Sequence, residues 1–150
     1  MSVLMLSIKY LFVAVLIFTT ISFPQSERYT KGAENGYTWL AMDDPSLMYN
    51  TSKENYLSSI LDRIHITGEK HPEIVSLTCR EDINKLFNEG KSDKISLEDV
   101  VKEIDGFYSQ KGNMAIPIIF AYCYTIKKFA GAGSKELNVY REEVLKFCNK

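Results

Sequence analysis

The chain has 150 residues, a formal net charge of -1, 45% apolar residues and 25% charged residues. That balance excludes a basic nucleic-acid groove, an acidic disordered tail and collagen-like or low-complexity sequence. It fits one ordinary globular domain.

The N-terminus departs from this average. Lys9 is the one charge in residues 1–22, and "LFVAVLIFTTISF" (residues 11–23) has none. The run has the length of a signal-peptide core and falls short of the roughly 20 apolar residues of a membrane-spanning helix. Thr20 and Ser22 place small side chains before a cut after Ser22. Residues 1–22 therefore read as a signal peptide, with an uncleaved anchor as the alternative, helped by the apolar "SVLML" before Lys9. Either way the chain is expected to be exported, periplasmic or secreted. Residues 23–34 read as a polar linker and residues 35–150 as a single helical domain.

"NGYTWLAMDD" (residues 35–44) predicts a short helical turn holding Trp39, the only tryptophan. Asp44 as N-cap and Pro45 at the first helical position predict the next helix. Its inner face would carry Tyr49, Tyr56, Leu57, Ile60, Leu61 and Ile64. "PEIVSLTC" (72–79) is ambiguous between a strand and a helical turn. In "REDINKLFNEG", Ile83, Leu86 and Phe87 share a face, and Gly90 ends the helix. Ser96 and Asp99 have capping-box spacing before an apolar stripe of Leu97, Val100, Val101, Ile104, Phe107 and Tyr108. Ile116 to Ile126 is apolar all round, as in a central buried helix, with Pro117 in its first turn. Ser134 caps a last helix whose inner face is Leu137, Tyr140, Val144, Leu145 and Cys148. The expected class is all-α, a compact bundle of about five helices.

No constellation for catalysis stands out, and the chain is read as no enzyme. His65, His71, Glu69 and Glu73 follow no zinc spacing. "GAGSK" (131–135) follows a helix, so its glycines read as helix terminators rather than as a phosphate loop. Asp43–Asp44 and Glu142–Glu143 read as solvated faces, and the sequon at 50–52 carries little weight. No metal, no cofactor and no nucleic-acid partner are expected.

The three cysteines are more informative in an exported chain. In an antiparallel pair of the last two helices, Cys123 and Cys148 would be offset by on the order of 10 Å. A disulfide tolerates Cα separations up to about 7 Å. Cys79 in a loop and Cys148 near the chain end can approach more freely. The expected bond is Cys79–Cys148, with Cys123 a free buried thiol. The alternative is that all three are reduced.

Two stretches carry a family resemblance: "GYTWL" with "KENYLSSILD", and "ISLEDVVKEIDGFYSQKGNMAIPIIFAY". The positions are Gly36, Trp39, Lys53, Tyr56, Leu57, Asp62, Ser96, Phe107, Tyr108, Asn113, Ile116 and Pro117. This layout resembles the Rap/Tai group of small periplasmic immunity proteins, or uncharacterised bacterial proteins sharing its helices. Arg63 stands where the pattern has glycine. The resemblance implies a small all-α domain whose members include inhibitors of type VI secretion cell-wall amidases. It implies a protein partner, an exported enzyme or toxin, and leaves a dimer open. The alternative is an envelope structural or accessory protein without catalytic activity. Gly36, Trp39, Tyr56, Asp62, Phe107, Tyr108, Asn113 and Pro117 are expected to be structural, which makes Trp39 a core anchor.

Overall fold

The computed structural model describes residues 25–47 and 51–150. The expected signal peptide, Tyr49 and Asn50 of the sequon lie outside the described residues. The fold is all-α, as expected, with seven α-helices among the described residues. They are α1 (Gly36–Ala41), α2 (Lys53–Ser58), α3 (Ile60–Lys70), α4 (Arg80–Asn88), α5 (Leu97–Tyr108), α6 (Ile118–Phe129) and α7 (Ser134–Cys148). No helix among these residues is long and apolar enough to cross a membrane.

Helix α6 is the centre. Ile118, Ile119, Phe120, Ala121, Cys123, Thr125 and Ile126 are all buried. Apolar on every side, it can be stable only when other helices cover it. α5 and α7 do so with Ile104, Phe107 and Tyr108 from one side of the sequence and Leu137, Tyr140 and Val144 from the other. α5 begins with the expected capping box: Ser96 Oγ accepts from the Asp99 amide and the Asp99 carboxylate accepts from the Ser96 amide.

Part of the expected linker is built structure. Gln25–Arg28 forms a 3-10 turn, and β1 (Tyr29–Thr30) pairs antiparallel with β2 (Ala33–Glu34). Lys31 and Gly32 have φ of 50° and 78°. Two consecutive left-handed residues are what a tight two-residue hairpin turn requires. Asn35 locks the hairpin: its amide and its Nδ2 donate to the Arg28 and Glu27 carbonyls, and its Oδ1 caps α1 at the Tyr37 amide. A polar composition misled here because the polar groups are spent on backbone partners.

Three further expectations are corrected. The helix expected from Pro45 is only a 3-10 turn at Pro45–Leu47, and the α-helix starts at Lys53, where Ser52 Oγ accepts from the Asn55 amide. Ser59, with φ of -106° and ψ of 12°, then breaks the run into α2 and α3. Phe87 is 67% exposed rather than inward. α4 is seated through Cys79, Asp82 and Leu86, and Phe87 lies about 100° further round the helix.

The cysteine pairing is the third. Cys79 is bonded to Cys123, with Cα atoms 5.1 Å apart, and Cys148 is the free thiol. The expected Cys79–Cys148 bond is therefore overturned. The physical reason is the seat of α4. Asp82, one turn after Cys79, pairs with Lys127, one turn after Cys123, at 2.7 Å. That pair and the disulfide lay the start of α4 across the middle of α6.

Candidate functional site

Most of the landmark residues join the first turn of the fold to its second half. The Gly36 amide donates to the Met114 carbonyl at 3.0 Å, and a Cβ on Gly36 would lie 2.5 Å from the Tyr108 ring. Asn35 bridges Pro117 in a short antiparallel contact. Tyr108 donates its hydroxyl proton to the Ile116 carbonyl at 2.8 Å. Asn113, buried, donates from Nδ2 to the Phe107 carbonyl and accepts from Arg141 Nε at 2.6 Å. These positions are packing and hydrogen-bond anchors. Asp62 differs, being exposed in the first turn of α3.

Trp39 is fully buried, so it presents no surface. Its indole Nε1 donates to Asp105 Oδ1 at 2.7 Å. The same oxygen accepts from Lys53 Nζ at 2.7 Å, and Lys53 also pairs with Asp43. Lys53 is 5% exposed and lies over the Trp39 ring, 5.1 Å from its centroid. A lysine this buried is costly without such partners. Tyr56 meets Trp39 edge-on at 6.3 Å, and Arg63 stacks on the Tyr56 ring at 4.0 Å while pairing with Glu34 at 2.7 Å. Arg63 thus ties α3 to the hairpin. Burial first, and then the Glu34 carboxylate, push the Tyr56 phenol far above its ordinary range. These groups are consumed by one another and offer no open chemistry.

The open surface is elsewhere. Leu61, Ile64, His65, Gly68 and Glu69 of α3 form one wall of a groove of about 620 Å³. Their spacing, i, i+3, i+4, i+7 and i+8, is that of a single helical stripe. Thr78, Cys79, Arg80, Ile83 and Asn84 form the other wall. Leu61 is 58% exposed, while Ile64 and Ile83 are half-buried and pack against the core. His65 and Glu69 are 3.4 Å apart and both exposed.

The second wall is firmly held. The disulfide and the Asp82–Lys127 pair fix the start of α4, and the Tyr140 hydroxyl donates to the Leu77 carbonyl at 3.0 Å, holding the preceding 3-10 turn (Pro72–Leu77) to α7. Gly68 is the notable member of the first wall. It lies inside α3, where glycine costs about 1 kcal/mol relative to alanine. A Cβ there would meet nothing within 4 Å, so no neighbour among the described residues requires its absence. Gly36 has an internal reason to be glycine; Gly68 has none.

The two histidines lie apart. His65 pairs with Glu69 at the groove, whereas His71 Nε2 sits 3.0 Å from the Lys31 carbonyl and its ring meets Phe147. No group of three or more His, Cys, Asp or Glu side chains among the described residues is placed to hold a metal. Cys148 is half-buried, and burial pushes its thiol up to about 11.

Sequence reasoning named Leu61 and Ile64 but assigned both to the core face. On the single helix that the sequence suggests, Leu57, Ile60, Leu61 and Ile64 span about 100°, the width of an ordinary core face, so the spacing did not mark Leu61 as exposed. Comparison with known proteins finds no matching family model, no similar curated protein and no similar solved structure.

Proposed function

We propose that the chain is an exported helical binding protein that inhibits an enzyme of the cell wall. The groove between α3 and α4 takes an apolar segment of that enzyme. The single observation carrying the reading is the Leu61–Ile64–Gly68 stripe: apolar, open, bare of a side chain at Gly68, and faced by a cross-linked wall. Exposed apolar stripes at helical spacing are the surfaces that helices and loops of partner proteins occupy. A wall already held in place loses little freedom on binding, so more of the contact energy appears as affinity.

Export is supported by the apolar N-terminal run and by the disulfide, which belongs in an oxidising compartment. The amidase class of partner rests on the resemblance to the Rap/Tai immunity proteins.

The test is stoichiometric inhibition of a cell-wall amidase encoded beside this chain. Peptide-bond cleavage in isolated peptidoglycan should fall as the protein approaches one equivalent. A Leu61→Asp variant, exposed and so able to fold, should restore the cleavage. An amidase unaffected by excess protein sinks the reading, as does inhibition that survives Leu61→Asp together with Ile83→Asp.

A further inference from the structure

Helix α4 is short and thinly anchored. It has nine residues and fully buries one of them, Leu86, whereas α5 buries four side chains and α6 seven. Its N-cap is Cys79, whose side chain makes no capping hydrogen bond. A helix of this length is marginal in water unless packing holds it. Apart from Leu86 and half-buried Ile83, α4 is tied to α6 by the Cys79–Cys123 bond and the Asp82–Lys127 pair. A partly exposed ion pair contributes little, so the covalent bond is the dominant tie.

The segment around α4 has firm limits. Before it, Ile74 is fully buried and the Leu77 carbonyl is held by the Tyr140 hydroxyl. After it, Ser96 and Asp99 form the box that caps α5. Residues 78–95 can therefore leave the core while both flanks stay in place.

We propose that the Cys79–Cys123 bond is a redox latch on α4. With the bond formed, α4 is docked and the groove has two walls. With both sulfurs as thiols, residues 78–95 detach while α5, α6 and α7 stay folded. The groove then loses the wall that includes Thr78, Cys79, Arg80 and Ile83. Partner binding is confined to the oxidised protein, a consequence that rests on the groove reading above.

The latch closes by exchange with a small disulfide, the oxidant available in an oxidising compartment. The Cys79 thiolate, on the loosened segment, attacks that disulfide and releases one of its sulfurs as a thiol. The Cys123 thiolate then attacks Cys79 Sγ of the mixed disulfide and releases the other. One S–S bond forms and one breaks, and the two protons and two electrons of the cysteines end on the oxidant as two thiols. Once docked, Cys79 and Cys123 are each 1% exposed, so a dithiol in solution has no path to them. The latch stays shut while the protein stays folded.

The experiment compares the oxidised protein with protein refolded under dithiothreitol, by hydrogen exchange and mass spectrometry. In the thiol form the amides of α4 should exchange about a hundredfold faster or more, with those of α5 and α6 still protected. Asp82→Ala in the oxidised protein should keep α4 protected to within about threefold, since the bond remains. Dithiothreitol added to the folded oxidised protein should open the bond far more slowly than in an unfolded control. The proposal is overturned if α4 stays protected in the thiol form, or if α5 and α6 lose protection together with it. It is equally overturned if Asp82→Ala frees α4 despite the bond, or if dithiothreitol opens the folded protein at the control rate. No amidase enters these measurements, so their failure is distinct from a failure of inhibition through the groove.

Discussion

Cys79 and Cys123 join the N-cap of α4 to the middle of the most buried helix, closing a loop of 44 residues by separation. The bond holds one wall of the candidate groove against the core. Proteolysis without reductant should release a peptide pair linking Cys79 to Cys123, with Cys148 unlinked. Replacing Cys79 and Cys123 together by alanine should cost about 4 kcal/mol in a denaturant titration, on the loop-closure account. Cys148→Ser should change stability by less than about 1 kcal/mol, since its side chain is half-buried and outside the disulfide. A Cys79–Cys148 peptide would refute the assignment.

The glycines of α1, α3 and α5 divide into two kinds, and alanine tells them apart. At Gly36 the methyl would be driven into the Tyr108 ring, whose hydroxyl is tied to Ile116. Gly36→Ala should destabilise by about 1–3 kcal/mol. At Gly68 and Gly106 the methyl meets open space. There helix propensity acts alone, and each substitution should stabilise by up to about 1 kcal/mol. Thermal melts of the three variants check both signs together.

Asp105 holds two donors at once, Trp39 Nε1 and Lys53 Nζ. Asp105→Ala leaves the buried indole N–H without a partner and Lys53 with Asp43 alone. Its expected cost is about 2 kcal/mol or more. Trp39→Phe removes one donor and leaves Asp105 paired with Lys53, so in the Asp105→Ala background it should cost less than in the parent. A double-mutant cycle by chemical denaturation measures that coupling, and additive costs would refute the shared-acceptor account.

Cys148 should be a slow nucleophile. Burial raises its thiol from an ordinary 9.0 to about 11, with Lys31 opposing. Because the folded value is the higher, the folded state favours the neutral thiol. That contribution to stability is full below about pH 9 and is lost as pH rises toward 11. Alkylation by iodoacetamide under non-reducing conditions should be slow at pH 8 and accelerate above pH 10. Reaction at pH 8 as fast as an unfolded peptide would contradict the burial seen for this side chain.

Acid should loosen the start of α5. Hydrogen bonds from the Ser96 side chain and then from its backbone amide hold the Asp99 carboxyl below its ordinary 3.8. A depressed folded value means the cap contributes fully above about pH 4 and is lost as pH falls through that lower value. Amide exchange at Ser96, which donates to the Asp99 carboxylate, should accelerate below pH 4. Ser96→Ala, which loses the hydroxyl and keeps the backbone amide, should weaken that dependence and cost about 1 kcal/mol at neutral pH.

The helices with strong internal signals were legible in advance. α5 combines a capping box with an unbroken apolar stripe, and α6 is apolar all round, so period and caps agreed. The core role expected of Trp39 matches its full burial. The hairpin at residues 29–34 was not legible, because its stability comes from partners such as Ala115, whose carbonyl accepts from Thr30 Oγ1 at 2.6 Å, 85 residues away. The cysteine pairing failed for a related reason. Local spacing gave a sound offset along α7 but said nothing of Asp82 meeting Lys127. The groove was hidden by an assumption that apolar means buried. Leu61 belongs to the apolar band of its helix and still faces outward.

Phe147, near the end of α7, receives Lys31 over its ring at 5.3 Å, meets the His71 ring at 6.0 Å and packs on Phe120 at 5.7 Å. The hairpin and Asn35 after it thus find partners in both halves of the fold: Glu34 pairs with Arg63 and the Lys31 carbonyl meets His71, while Ala115, Pro117 and Phe147 come from the second half. A chain growing from its N-terminus makes this hairpin and its α3 partners long before Ala115, Pro117 and Phe147 follow. α5, α6 and α7 can pair as they appear, being neighbours in sequence. The hairpin's contacts to Ala115 and Phe147 must wait for that half of the fold, whereas its contacts to Arg63 and His71 need not.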